Sequence, residues 1–321
     1  MSTAQSQPSL PPHATGVRLC LDELLYYKNH AHAWLSPKKS LWSQLNGEHQ
    51  SRRLGRGMDF AEVRQYQSGD DIRSIDWKVT ARTGKAHTKL FTEEREQSVI
   101  IYIDLSYSMR FGSQLLFKSV QAAHLASLIA WLGVAQKDRV GAVINNGLEL
   151  IEIKPTARNP GALHLCYELM KANNTALDVQ LNDQPSEDTK SIEVILQTIA
   201  RLSPKGSDLV FLSDFPQLNH QNSSLLNQLR QHNRMQFVHF YDPLELGQTQ
   251  FRGHEYVSDG KTTRWLNFGQ SQVRQQLNQH WFEHQKMIEA ICLKTAIPYR
   301  TLNAAFPLLT ELAKPYGGHH G

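Results

Sequence analysis

The chain has 321 residues, 40% of them hydrophobic and 20% charged, with 19 Gly and 13 Pro. That mix allows one large or two modest domains with a sizeable core, and it excludes collagen-like, mucin-like and wholly disordered chains. The formal charge is +4, from 34 basic and 30 acidic residues, too mild an excess for a dedicated nucleic-acid binder.

Residues 1–16 are polar and proline-rich and read as a disordered leader, without the basic-then-apolar order of a signal peptide. Leu21, Leu24, Leu25 and Trp34 have the spacing of a one-faced helix over Val17–Leu35. A basic stretch, Ser51–Gly57 with Arg52, Arg53 and Arg56, reads as a solvated, partner-facing loop. Strands are predicted at Phe60–Tyr66 and His87–Phe91, so that 17–96 forms a helix-plus-strands extension.

From Gln97 the pattern changes to alternating strands and helices. Ser98–Asp104 and Asp208–Asp214 are short continuous apolar runs, the signature of strands buried on both faces. A helix is expected over Ser113–Gly133, capped by Ser113, followed by a hairpin of Val140–Ile144 and Leu148–Ile153 about Asn145-Asn146-Gly147. Then come helices at Pro160–Ala172, Ile192–Leu202 and Ser224–His232, with a polar connector over Asn173–Ser191, and a strand at Gln236–Tyr241. Two short strands about Asp259-Gly260, a helix over Ser271–Thr295 and a strand at Tyr299–Leu302 complete the order. The alternation implies an α/β fold with a doubly wound, mainly parallel sheet over 97–321. The longest apolar stretch, Ala122–Ala135, is too short to cross a bilayer. Cys20, Cys166 and Cys292 form no CxxC pair and read as buried thiols in a reducing compartment, those of a soluble, cytoplasmic protein.

The sharpest chemical feature is Asp104-Leu105-Ser106-Tyr107-Ser108 at the end of the first buried strand, where open α/β sheets bind ligands. Residues two apart on an extended strand are about 6.6 Å apart, so Asp104, Ser106 and Ser108 meet at one point only if the chain curls. One carboxylate and two hydroxyls are hard donors suited to Mg²⁺ or Mn²⁺, and Asp214 is placed to add a second carboxylate. The plainer alternative is that Ser106 and Ser108 cap the next helix and Asp104 simply ends a strand.

This constellation resembles the von Willebrand factor A domain and its metal-ion-dependent adhesion site, with Asp104, Ser106 and Ser108 as the first motif and Asp214 as the later aspartate. The threonine of that site has no clear counterpart: Gly161 stands where it is expected and Thr156 is the nearby substitute. Upstream, Gly55–Phe60, Val63–Tyr66, Gly69-Asp70-Asp71-Ile72-Arg73-Ser74-Ile75-Asp76-Trp77, Thr80–Arg82 and Phe91–Glu96 are similar to the bacterial domain-of-unknown-function family 58. The resemblance implies a non-catalytic, Rossmann-type interaction module that works with a MoxR-type AAA+ ATPase and a client protein.

Within the upstream segment, Asp70, Asp71 and Asp76 alternate with Arg64, Arg73 and Arg82, which predicts bidentate ion pairs pinning these strands against the α/β domain, with Trp77 burying a large apolar area. The alternative is a docking surface for the ATPase or client, by a scaffold that needs no metal. His280, Glu283 and His284 fit the H-x-x-E-H pattern of a zinc hydrolase, but His284 shares an apolar stripe with Leu277, Trp281, Ile288 and Ile291. Gly260-Lys261-Thr262 lacks the first glycine of a phosphate-binding loop.

Overall fold

The computed structural model of the chain describes residues 10–34, 58–67, 70–93, 96–182, 190–249, 251–258 and 263–314. Outside them lie the first part of the expected leader, the basic stretch 51–57, Gly69, Glu94 and Arg95, and the 259–262 turn with Lys261 and Thr262. Two units emerge: residues 48–96, and residues 1–47 together with 97–321. The expected 17–96 extension is therefore divided, its helix belonging with the sheet.

That helix, α1 (Leu21–Trp34), buries Leu24, Tyr27 and Ala31. In the smaller unit β1 (Met58–Gln65) pairs antiparallel with β2 (His87–Glu93), and the connection holds a 3-10 turn (Ile72–Ser74) and α2 (Trp77–Thr83). Asp76 sets the start of α2, its Oδ1 accepting from the amides of Lys78 and Val79 at 3.0 and 3.1 Å. Gly84, at φ +70°, ends it in the left-handed conformation that glycine tolerates.

The larger unit continues with β3 (Ser98–Asp104), α3 (Lys118–Ala135), β4 (Arg139–Asn145), β5 (Leu150–Thr156), α4 (Asn159–Asn182) and α5 (Ile192–Leu202). After these come β6 (Asp208–Ser213), α6 (Ser223–His232), β7 (Arg234–Tyr241), the hairpin β8 (His254–Ser258) and β9 (Thr263–Asn267), α7 (Ser271–Thr295), β10 (Tyr299–Asn303) and α8 (Leu308–Ala313). Six strands form one sheet in the order β10-β7-β6-β3-β4-β5, parallel except for the edge strand β5. This is the doubly wound α/β class that the alternation of elements implies.

Period-two side-chain alternation divides the core. Val99, Ile101 and Ile103 of β3 join one cluster with α1, α3, α4 and α8, while Ile100 and Tyr102 join the other with α5, α6 and α7. The continuous apolar run of β3 follows from this position, covered on both faces. Helix α3 is buried from Lys118 through Gly133, because the sheet lies on one side of it and α1 and α4 on others.

Several expectations change. The helix opens at Lys118, not Ser113, because Ser113 gives its backbone N–H to Asp242 at 2.8 Å and its hydroxyl to the same carboxylate. Much of the polar connector continues α4 to Asn182: Asn173 and Asn174 spend their amides on the carbonyls of Val17 and Leu19, at 3.2 and 2.9 Å. Residues 10–16 of the expected leader are held too, the carbonyl of Gly16 accepting from Phe117 N–H at 2.8 Å. The three cysteines are free; Cys166 and Cys292 are buried as expected, whereas Cys20, just before α1, is only partly buried. No helix among the described residues is long and apolar enough to cross a membrane.

Leu24 is fully buried where α1 meets α3, beside the buried pair of Glu23 and His124 (3.2 Å). Leu24→Ala is expected to lower stability by about 3 kcal/mol, read as a fall in the urea midpoint.

Candidate functional site

The chain does curl at the end of β3. Asp104 closes the strand opposite Asn145, and Leu105 N–H reaches back to the Asn145 carbonyl at 2.7 Å. Ser106 N–H then donates to Asp104 Oδ1 at 3.0 Å, and Tyr107–Met109 form one 3-10 turn. Ser106 stands at the cap position of that turn, but its side chain makes no capping bond. On the neighbouring strand, Ser213 Oγ donates to Asp104 Oδ2 at 2.7 Å, and Phe215 at φ +55° turns the chain back. Ser108 Oγ donates to Asp214 Oδ1 at 3.0 Å. Asp104, Ser106, Ser108 and Asp214 thus belong to one acidic crest above the strand ends.

A residue without a role in the sequence reading completes it. Lys118, the first residue of α3, is 1% exposed, and its ammonium donates to Asp214 Oδ2 at 2.9 Å and Glu245 Oε1 at 2.6 Å. Glu245 Oε2 in turn accepts from the backbone of Asp242 at 2.8 Å, which fixes the carboxylate that holds the lysine. The available signal was a single lysine opening a helix with no other Asp, Glu, Lys or Arg, an expensive place for a charge unless it is paired.

The electrostatics follow from these contacts. Burial alone lowers the affinity of Lys118 for its proton, but Asp214 and Glu245 reverse this and hold the ammonium charged, well above its ordinary value. Burial pushes Asp214 up, yet the Lys118 charge outweighs it and keeps that carboxyl below its usual range. Asp104 has no such cation bonded to it; burial, with the Asp214 charge second, lifts it to about 6.

Thr156 does not join this group. It pairs with Val140 at the start of β4, whereas Asp104 pairs with Asn145 at the end, about 16 Å further along at 3.3 Å per residue. Its Oγ1 lies against the first turn of α4, 2.1 Å from where a Cβ on Gly161 would stand, so glycine is required there by close packing. The loop expected to supply a threonine is at the other end of the sheet.

The remaining donors fit a resident divalent ion poorly. Both oxygens of Asp104 accept protein hydrogen bonds, from Ser106 N–H and Ser213 Oγ, and those of Asp214 accept from Ser108 and Lys118. An ammonium and a divalent ion about 4 Å apart repel by about 8 kcal/mol at an effective dielectric constant of 20.

The other candidates separate. His284 Nε2 lies 2.9 Å from the Asp214 carbonyl and Glu283 accepts from Gln279 at 2.8 Å. No group of three or more His, Cys, Asp or Glu suited to a metal occurs among the described residues, so His280, Glu283 and His284 gain no third partner there. In the smaller unit Arg64 pairs with Asp70 at 2.6 Å. Asp71 and Asp76 instead cap the turn and α2, and Arg73 and Arg82 have no acidic partner among the described residues. Trp77 is 67% exposed, against the expectation of burial: it opens a seven-residue helix whose inner contacts are made by others, such as Thr80, which accepts from His87 N–H at 3.1 Å.

A family model described as "Protein of unknown function DUF58" matches residues 62–287, over two thirds of the chain. Uncharacterized proteins of Mycobacterium bovis and Mycobacterium tuberculosis are 35% identical over 119 residues, 37% of this chain and 38% of theirs. The chain thus spans well under half the length of these curated relatives. Among solved structures, the conserved hypothetical protein BatB from Bacteroides thetaiotaomicron is 13% identical with a TM-score of 0.33, covering 62% of this chain and 98% of that one. The SpRpn10 VWA domain is 11% identical with a TM-score of 0.34, covering 70% and 97%.

The raised carboxyl gives a pH signature with a definite sign. The folded chain binds the Asp104 proton more tightly than the unfolded chain, so this group weakens the fold as pH rises from its ordinary value to about 6. Asp104→Asn is expected to remove that loss, seen as a flatter stability profile between pH 4 and 6 in urea titrations.

Proposed function

The chain belongs to the DUF58 family of proteins of unknown function, and from that premise we propose that it is a non-catalytic interaction module that docks an acidic partner through α2 of its smaller unit. The observation that carries this reading is the exposure of Trp77 and Ile72 in a segment whose cations Arg73, Lys78, Arg82 and Lys85 are also exposed, none of them with an acidic partner among the described residues. The acids interleaved with those cations serve local structure: Asp70 accepts from Arg64, and Asp71 and Asp76 accept from backbone amides. The surface therefore combines a large aromatic with net positive charge, the composition favoured at the centre and rim of an interface.

The partner in this reading is a MoxR-type AAA+ ATPase, with a client protein brought alongside, as the family resemblance implies. The free cysteines are in keeping with a cytoplasmic setting. The state of the crest supports a non-catalytic role. Lys118 is held protonated and so is no nucleophile, and the crest carboxylates already accept internal hydrogen bonds.

A second reading, capture of a partner carboxylate through Mg²⁺ or Mn²⁺ at Asp104, Ser106, Ser108 and Asp214, is favoured by the convergence of those residues and opposed by Lys118. The two differ in their response to a chelator. Calorimetry of the chain against the MoxR-type ATPase of the same organism is expected to give unchanged affinity in EDTA and at least tenfold weaker binding for Trp77→Ala and for Arg73→Glu/Arg82→Glu. Binding indifferent to these substitutions would overturn the α2 surface, and binding abolished by EDTA would transfer the role to the crest.

A further inference from the structure

We infer that the Lys118 ammonium is a built-in replacement for the divalent ion that the crest motif otherwise suggests. The side chain is placed against two general tendencies. It is almost completely buried, and it lies in the first turn of α3, where the helix dipole disfavours a cation. Such a position persists when the surroundings supply compensating negative charge. Here Asp214 and Glu245 do so from two separate segments, one just after β6 and one after β7, each within 3 Å of the ammonium.

The lysine acts on the same carboxylate that the metal reading requires. Asp214 is divided between Ser108, on Oδ1, and Lys118, on Oδ2, so the hydroxyl and the cation together complete its coordination. Asp104 is completed without any cation, by Ser106 N–H and Ser213 Oγ, with Asn145 Nδ2 at 3.4 Å. The result is a crest with the donor set of a cation site and a covalently attached cation already bonded to one of its two carboxylates. The site at the opposite end of the sheet is consistent with this: Thr156 packs on Gly161 and takes no part. A tethered ammonium cannot offer an open coordination position to a partner carboxylate, so the crest is structural, and the inference stands or falls independently of the α2 surface.

The test is Mn²⁺ binding, followed by calorimetry and by the paramagnetic broadening of water relaxation, on the full chain. The wild type and Lys118→Arg are expected to bind no Mn²⁺ at the crest up to millimolar concentration. Lys118→Gln, which vacates the ammonium but keeps a polar side chain, is expected to gain one site at least tenfold tighter than any wild-type binding. Adding Asp214→Asn to that variant should abolish the gain. A folded Lys118→Gln chain with no gain would overturn the inference. So would one-to-one Mn²⁺ binding by the wild type that Asp104→Asn removes, a result that needs no Lys118 variant to fold.

Discussion

One buried ion pair organises the upper end of the sheet. Lys118 begins the helix that fills one face, Asp214 comes just after the strand beside the central one, and Glu245 follows the strand after that. Joining them draws three separate parts of the chain to a single ammonium. Ser108 then reaches Asp214 and Ser213 reaches Asp104, so the curl after β3 is tied to β6 by two hydrogen bonds. A buried charge with two partners is not a source of great net stability, since desolvation offsets most of the attraction. Its value is specificity of arrangement: an apolar side chain at position 118 would leave two carboxylates facing one another without a counter-charge.

The same economy explains how the smaller unit becomes a surface. Alternating acids and arginines suggest a self-satisfying lattice of ion pairs, and Arg64 with Asp70 does form one. Short connecting turns, however, leave backbone amides unpaired, and Asp71 and Asp76 are positioned in sequence to cap them. The segment carries exposed cations, with Trp77 standing outward at the start of α2.

Much of this was legible in the amino-acid sequence, for identifiable reasons. The strands at Ser98–Asp104 and Asp208–Ser213 were legible because burial on both faces demands unbroken apolar runs. The curl at Asp104-Leu105-Ser106 was legible because three oxygen donors two residues apart have no other way to meet. What the sequence hid were long-range partners. Asn173 and Asn174 look like loop residues until the carbonyls of Val17 and Leu19 are brought to them, and Ser113 looks like a helix cap until Asp242 takes its hydrogen-bonding groups. Lys118 was hidden for the same reason: its partners are 96 and 127 residues away. Thr156 was misplaced because direction along an antiparallel edge strand decides which end of the sheet it reaches.

Crystals grown in manganese, with anomalous diffraction recorded at the manganese edge, put the account to its most direct test. It predicts no anomalous peak among Asp104, Ser106, Ser108 and Asp214, and electron density for the Lys118 ammonium in contact with Asp214 and Glu245. A manganese peak bounded by those four residues, with the lysine side chain turned away, would contradict it.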